Sequence, residues 1–194
     1  MSTRKTSYPI ENFLRDRWSP RAMSGESVKH EEFMRLLEAA RWAPSSYNNQ
    51  PWHFLYAHRD TPAWKTFFDL LIPFNQDWCK QGAVLVVAVS RDTFEFNNKS
   101  ARTHSFDTGS AWENAALQGW SQGLVVHGME GFDYEKAKRD LHIPAGYTVE
   151  MMFAVGRPGK KESLSPELQE REFPSDRKPL HEIAFEGSWP KQKL

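Results

Sequence analysis

The chain has 194 residues, 39% of them hydrophobic, which is enough to bury one sizeable core and favours a single domain over 1–194. Its twenty-five Lys and Arg residues are balanced by twenty-five Asp and Glu residues, so the overall charge points to neither nucleic acid nor an anionic membrane surface, and the expected ligand is a small molecule. A single cysteine, Cys79, excludes an intramolecular disulfide and a cysteine-based zinc cluster, and fits a reducing, cytoplasmic setting.

Residues 1–11 carry two basic side chains but not the continuous apolar stretch of a secretory signal, so export is not expected. Over 27–42, Phe33, Leu36, Leu37 and Ala40 recur at the spacing of one helical face. Ser27 is the expected N-cap, Glu31 and Glu32 sit near the positive end, Arg41 sits near the negative end, and Pro44 lies just beyond. After a polar loop at 45–51, the aromatic-rich segment 52–57 predicts a strand. Pro62 then opens a helix presenting Trp64, Phe67, Phe68 and Leu71, with Pro73 as its stop.

Residues 83–89 form an uninterrupted apolar run rich in valine, the pattern of a strand covered on both faces. This longest apolar run is far shorter than the roughly 20 residues of a membrane-spanning helix. The segment 103–123 is long and free of proline, and predicts a central helix. Its Ala111, Ala115 and Ala116 allow close approach, while Phe106, Trp112, Leu117 and Trp120 supply bulk. A short strand at 124–126, an amphipathic helix at 134–141 and a core strand at 147–155 follow. Beyond Gly156 the chain turns charged and poorly apolar as far as Lys178, and cannot build a core alone. A last short strand is predicted at 181–185 and an extended tail at 187–194. Helices and strands alternate without a regular βα pattern, and the glycine fingerprint of a dinucleotide-binding βαβ unit is absent. The expected class is therefore α+β with a central mixed sheet, and not a Rossmann domain. The eight tryptophans leave three uses open: core, subunit interface, or a flat pocket for an aromatic ligand.

Two segments concentrate polar chemistry. Arg17, Trp18, Ser19, Pro20 and Arg21 set two cations around a hydroxyl, which suits bidentate phosphate binding but also suits a solvated turn. Residues 43–52, APSSYNNQPW, place two serines and three amides between a helix and a strand, with Pro44 and Pro51 restricting the backbone before any ligand arrives.

This second string closely resembles the Pro-Ser-Ser-x-Asn-x-Gln-Pro-Trp signature of the nitroreductase family, and other matches follow in the family's order. Arg17, Ser19 and Arg21 resemble its N-terminal basic-x-Ser-x-basic phosphate and flavin contacts. Asn75 stands in the place of the asparagine at the polar edge of the flavin ring. Met129, Glu130 and Gly131 resemble the segment whose backbone approaches flavin N5, and Arg177 resembles a late arginine that completes the phosphate site. The resemblance implies a homodimeric three-layer α-β-α sandwich with a mostly antiparallel central sheet, holding FMN at the dimer interface. It also implies that the C-terminal segment 157–194 embraces the partner. The site it implies includes Arg17, Trp18, Ser19, Arg21, Pro44, Ser45, Ser46, Tyr47, Asn48, Gln50, Asn75, Met129, Glu130, Gly131 and Arg177.

By the same resemblance, NAD(P)H delivers hydride to the flavin and a second substrate, nitroaromatic, quinone or a related electron-poor compound, then removes the electrons in ping-pong fashion. The protein supplies orientation and electrostatics, and neither a protein nucleophile nor an obligatory general base is assigned. Arg21 is the candidate cation near N1 and the C2 carbonyl. Trp112, Phe106, Phe94 and Phe96 are candidates for stacking on a flat substrate, although core or dimer contact is the commoner use of such rings.

The chain also departs from the pattern. Relatives often carry a lysine shortly after the asparagine and another before the late arginine, where this sequence has Trp78-Cys79-Lys80 and Ser175-Asp176. Either the phosphate site is less cationic than usual or Lys178 substitutes. Tyr47 occupies a place that is small in many relatives. Two other readings use the same fold: an FMN-binding protein without efficient turnover, and a dehalogenase or flavin-modifying enzyme. The latter needs a lid, for which 92–102 is short and featureless. His104, Ser105 and Asp107 lie too close along one helix to converge as a hydrolytic triad, and the histidines lack metal-ligand spacing, so no metal is expected.

Overall fold

The computed structural model describes residues 4–190. In chain order the elements are α1 (Asn12–Asp16), α2 (His30–Ala40), β1 (Trp52–His58), α3 (Trp64–Phe68), α4 (Pro73–Cys79), β2 (Val84–Arg91), α5 (His104–Ser121), β3 (Val125–Met129), α6 (Tyr134–Asp140), β4 (Tyr147–Gly156) and α7 (Pro166–Glu170). The strands form one sheet in the order β1-β2-β4-β3, and each neighbouring pair is antiparallel. The expected mixed sheet is thus corrected for the described strands. The apolar run in β2 reports cover on both faces, and cover does not fix strand direction.

Alternation along β2 divides the core. Val84, Val86 and Ala88 join Val126, Phe153 and Val155 on one face, where Phe33, Leu36 and Ala40 of α2 and Ala111, Ala115 and Ala116 of α5 cover them. Leu85, Val87 and Val89 join Val125, Met152 and Ala154 on the other, against Phe67 of α3, Trp78 and Cys79 of α4, Ala137 of α6 and Leu168 of α7. Helices on both faces make the three layers the family resemblance implies. The small residues of α5 bring it close to the sheet: a Cβ on Gly119 would lie 2.4 Å from Val126 Cγ2, so only glycine fits that crossing.

Several local expectations change. The first long helix starts at His30, with Lys29 and not Ser27 at the cap; the Lys29 backbone N–H donates to Glu32 Oε2 at 3.0 Å. Pro73 opens α4 instead of only ending α3, because a missing N–H costs nothing in a first turn. The strand predicted at 181–185 is not formed. Leu180–Glu182 is a 3-10 turn, and Ile183 and Phe185 are exposed, without a neighbouring strand to complete a ladder. Of the predicted tail, 187–190 is exposed, and 191–194 lies outside the described residues. The five-residue helices α1 and α7 were not anticipated.

Candidate functional site

The basic segment at 17–21 leaves the end of α1 and is fastened from three sides. Arg17, whose side chain is 13% exposed, places Nε 3.5 Å from Glu113 Oε1 on α5 and donates from Nη1 to Ser19 Oγ at 3.4 Å. The buried carboxylate of Glu172, which follows α7, accepts the backbone N–H of Arg21 at 2.8 Å and that of Ala22 at 2.8 Å. His127 on β3 bonds through Nδ1 to the Pro20 carbonyl at 2.9 Å. Trp18 lines a cavity of ≈ 400 Å³ with Trp120, Leu124 and Glu172.

Arg4 joins this cluster from the N-terminal side. Its Nη1 donates to the Arg15 and Arg17 carbonyls at 2.8 Å each. Burial, followed by the charges of Arg177 and Arg17, holds its pKa below the ordinary arginine value. Arg177 itself is exposed and donates to the Ser175 and Asp176 carbonyls. Two guanidinium groups from the N-terminal segment and one from far along the chain therefore share one region.

The second part of the site is an amide and indole chain. Asn75, buried on α4, donates from Nδ2 to the Gly131 carbonyl at 2.9 Å and accepts Trp78 Nε1–H on Oδ1 at 3.2 Å. The Trp78 ring lies 4.5 Å from that of His127, centroid to centroid. Burial lowers the His127 pKa to about 4 despite the Pro20 bond, with Arg21 and Arg17 adding repulsion. The 131 turn is tight: a Cβ on Gly131 would meet Asn75 Nδ2 at 2.6 Å and Ile72 Cδ1 at 2.8 Å. Arg21 lines a neighbouring cleft with Trp78 and Lys80, and its buried Nε has no hydrogen-bond partner among the described residues. Met129 is buried against Cys79, whose thiol pKa burial pushes well up, leaving it a packing residue.

Glu130 lines a further cleft with Trp112, Tyr134 and Glu150. Glu150 is the residue left over where the β2–β4 register shifts between Ala88 and Val89. The bulge turns its carboxylate toward the Ser90 and Ser105 hydroxyls, both of which donate to it, with His104 Nδ1 3.4 Å away. Burial and then Glu130 and Glu150 raise the Tyr134 pKa.

The serine and amide loop forms a separate group. Ser45 Oγ accepts the Gln50 N–H at 3.0 Å, and the Ser46 N–H donates to the buried Asp107 of α5 at 3.1 Å. Tyr47, Asn48 and Gln50 hold φ values of 53°, 54° and 47°, a left-handed conformation that non-glycine residues adopt at a cost of about 1–2 kcal/mol each. Asn49, which was not singled out in the sequence, ties the loop to the next one by donating to the Thr93 carbonyl and accepting the Glu95 N–H. Pro44 precedes this strained stretch.

The four candidate substrate aromatics do not gather at one place. Phe94 and Phe96 pack on Tyr47 at ring separations of 5.6 and 5.9 Å. Phe106 is exposed on the first turns of α5. Trp112 walls the Glu130 cleft, and its buried Nε1 lacks a partner.

Arg17, Ser19, Arg21, Asn75, Met129, Glu130 and Gly131 thus belong to one neighbourhood, joined by Arg177 through Arg4. Ser45 to Gln50 belong to another, with Phe94 and Phe96. The first can hold an anionic group at its guanidinium end and a flat hydrogen-bonding ring beside Asn75 and Gly131. Sequence reasoning missed Arg4, Asp107, His127 and Glu172 as parts of this machinery, because no local pattern marks them. Trp78 was noticed only as an absent lysine. Among the described residues no group of His, Cys, Asp and Glu side chains is arranged to hold a metal ion, and no helix is long and apolar enough to cross a membrane.

The fold and sequence have counterparts in known proteins. A solved oxidoreductase containing FMN is 42% identical and superposes with a TM-score of 0.93, covering 97% of each chain. A putative nitroreductase from Desulfovibrio desulfuricans, solved in complex with FMN, is 24% identical with a TM-score of 0.72, covering 95% of this chain and 100% of that one. Protein DrgA of Synechocystis sp. is 28% identical, covering 72% of this chain and 86% of that protein. The model of the nitroreductase family matches residues 14–72 and 63–157, a span that holds both polar groups except Arg4 and the residues after β4. Signature loop, three-layer fold and family match agree, and this chain belongs to the nitroreductase family.

Proposed function

We propose that the chain binds FMN as a homodimer and carries electrons from NAD(P)H to nitroaromatic, quinone or related electron-poor acceptors in alternating, ping-pong half-reactions. The observation that carries this reading is the pairing of a shared guanidinium region with the Asn75–Gly131 hydrogen bond across the tilted Trp78–His127 ring contact. The buried, unpartnered Nε of Arg21 fits a ligand that supplies an acceptor there. Membership of the family, and the 42% identity to an oxidoreductase containing FMN, support the choice of cofactor.

FMN, when bound, supplies the electron chemistry, and the protein supplies position and electrostatics. Arg17, Ser19 and Arg177 would hold the phosphate by charge-assisted hydrogen bonds, with Trp18 between the first two in sequence. Arg21 would place positive charge near the polar edge of the bound ring, and Asn75 would hydrogen-bond that edge. Met129, Glu130 and Gly131 would offer backbone to the ring, and the Asn75–Gly131 bond keeps that backbone from shifting. The partner's copy of the 44–50 loop, Pro44, Ser45, Ser46, Tyr47, Asn48 and Gln50, would close the site. The chain works as one domain, with the segment from 157 onward embracing the partner, and operates in the cytoplasm. Trp112 and, across the interface, Phe94, Phe96 and Phe106 border the face open to nicotinamide and acceptor. The 92–101 segment is a closed turn, with the Ala101 N–H on the Asp92 carbonyl at 2.8 Å, and does not resemble a lid.

The test is anaerobic spectroscopy on the purified protein. The yellow colour is expected to bleach with NADH or NADPH and to return on adding a quinone or nitroaromatic. Colour that persists with both nucleotides would leave a binding protein without turnover. Protein that stays colourless after excess FMN, or sediments as a single subunit, would end the proposal.

A further inference from the structure

The 17–21 motif supplies Arg17 to the phosphate and Arg21 to the ring, and the lysine that relatives often carry before the late arginine is absent here, where Ser175 and Asp176 stand. We propose that Arg4, outside the motif and unassigned by it, is a phosphate-binding cation of this site. The guanidinium is held by the Arg15 and Arg17 carbonyls and faces the same phosphate monoester as Arg17 and Arg177. The inference rests on the FMN reading above.

Two observations carry it. The first is placement. One nitrogen, Nη1, satisfies two carbonyls at the end of α1, at 2.8 Å each, so the plane of the guanidinium is set by the same backbone that carries Arg17 and Ser19. A planar donor fixed this way is oriented before a ligand arrives, which is the condition for bidentate recognition of phosphate. The second is charge. Burial lowers the Arg4 pKa first, and Arg177 and Arg17 lie close enough to lower it further, while Asp176 and Asp16 act in the opposite sense. Capping α1 requires one cation at the carbonyls and gives no reason for Arg177, far away in sequence, to be brought to it. Asp16 and Asp176 near Arg4 and Glu113 beside Arg17 temper the like charges of this cluster, and a dianionic phosphate would give the guanidinium groups a further charge-assisted partner.

The experiment compares FMN with riboflavin, which differ only in the phosphate. Full-length apoprotein is titrated with each flavin by fluorescence quenching, for the parent, Arg4→Met and Arg4→Lys, at several salt concentrations. Arg4→Met is expected to raise the FMN dissociation constant roughly tenfold to a hundredfold, leave riboflavin within about twofold, and flatten the salt dependence of FMN binding. Arg4→Lys should fall between, since it keeps the charge and loses the fork. Equal weakening of both flavins would show that Arg4 only braces the 15–17 backbone, and unchanged FMN affinity would show that it does not reach the phosphate; either overturns the proposal. If Arg4→Met does not fold, parent and Arg4→Lys decide: a selective loss for FMN supports the role, and equal constants refute it. A parent that binds FMN no more tightly than riboflavin, or binds neither, refutes the phosphate site itself and the FMN reading with it.

Discussion

Glu172 offers the sharpest test of how the binding segment is held. Its Oε1 accepts backbone N–H groups from Arg21 and Ala22 at 2.8 Å each, and its Oε2 accepts a longer bond from Arg21 at 3.1 Å. Glu172→Ala leaves two backbone donors in a buried place without an acceptor. Each unmet donor costs about 1–3 kcal/mol. The adjoining cavity of ≈ 400 Å³, which Glu172 itself lines, admits water that recovers part of the loss. The expected net destabilisation is therefore about 2–3 kcal/mol, or a fall in melting temperature of roughly 5–10 °C for a chain of this size. Glu172→Gln keeps one acceptor oxygen but sets an amide NH2 near the Arg21 N–H, so it should cost less, about 1–2 kcal/mol. Urea unfolding of the flavin-free proteins, with Cm and slope compared, measures both. An alanine variant within about 0.5 kcal/mol of the parent, or a glutamine variant worse than alanine, would refute the reasoning.

His127 gives a pH signature. Its folded-state pKa of about 4 lies below the ordinary 6.5, so between these values the unfolded chain binds the proton and the folded one does not. Stability should be full above pH 6.5, fall by on the order of 3 kcal/mol as pH drops to 4, and lose nothing more from this group below that. His127→Phe should flatten that part of the urea-derived profile, and an unchanged slope would assign it to other groups. Gly131→Ala should destabilise by about 1–3 kcal/mol and weaken FMN binding, because its Cβ meets the amide and isoleucine of α4. Calorimetry together with flavin titration checks this, and wild-type values for both would mean that α4 yields. Trp78→Phe removes the N–H bonded to Asn75 together with part of a buried indole, and should cost about 2–3 kcal/mol while shifting the visible spectrum of bound FMN. A spectrum identical to the parent's would separate the Asn75 chain from the ring.

Short-range pattern was enough for much of the molecule. The face repeated at Phe33, Leu36 and Ala40, the valine run of β2 and the proline-free length of α5 report burial between neighbours in sequence, and each became the element it predicted. The signature loop and the 17–21 segment were legible because backbone restriction and polar residues occur together over a few positions. What only tertiary structure decided were pairings across distance. Glu172 and Arg21 are 151 residues apart, and Asn75 and Gly131 are 56 apart. A lone carboxylate or arginine has no periodicity to betray it. Its role depends on which backbone donors or charges the fold brings to it. The same limit explains 181–185, where apolar residues alternate well enough for a strand but meet no partner edge, and Glu150, which faces two serines because β4 carries one more residue than β2 at that place. Periodicity encodes which side of an element is buried. The neighbours that side or a single polar group will meet are set when the layers close.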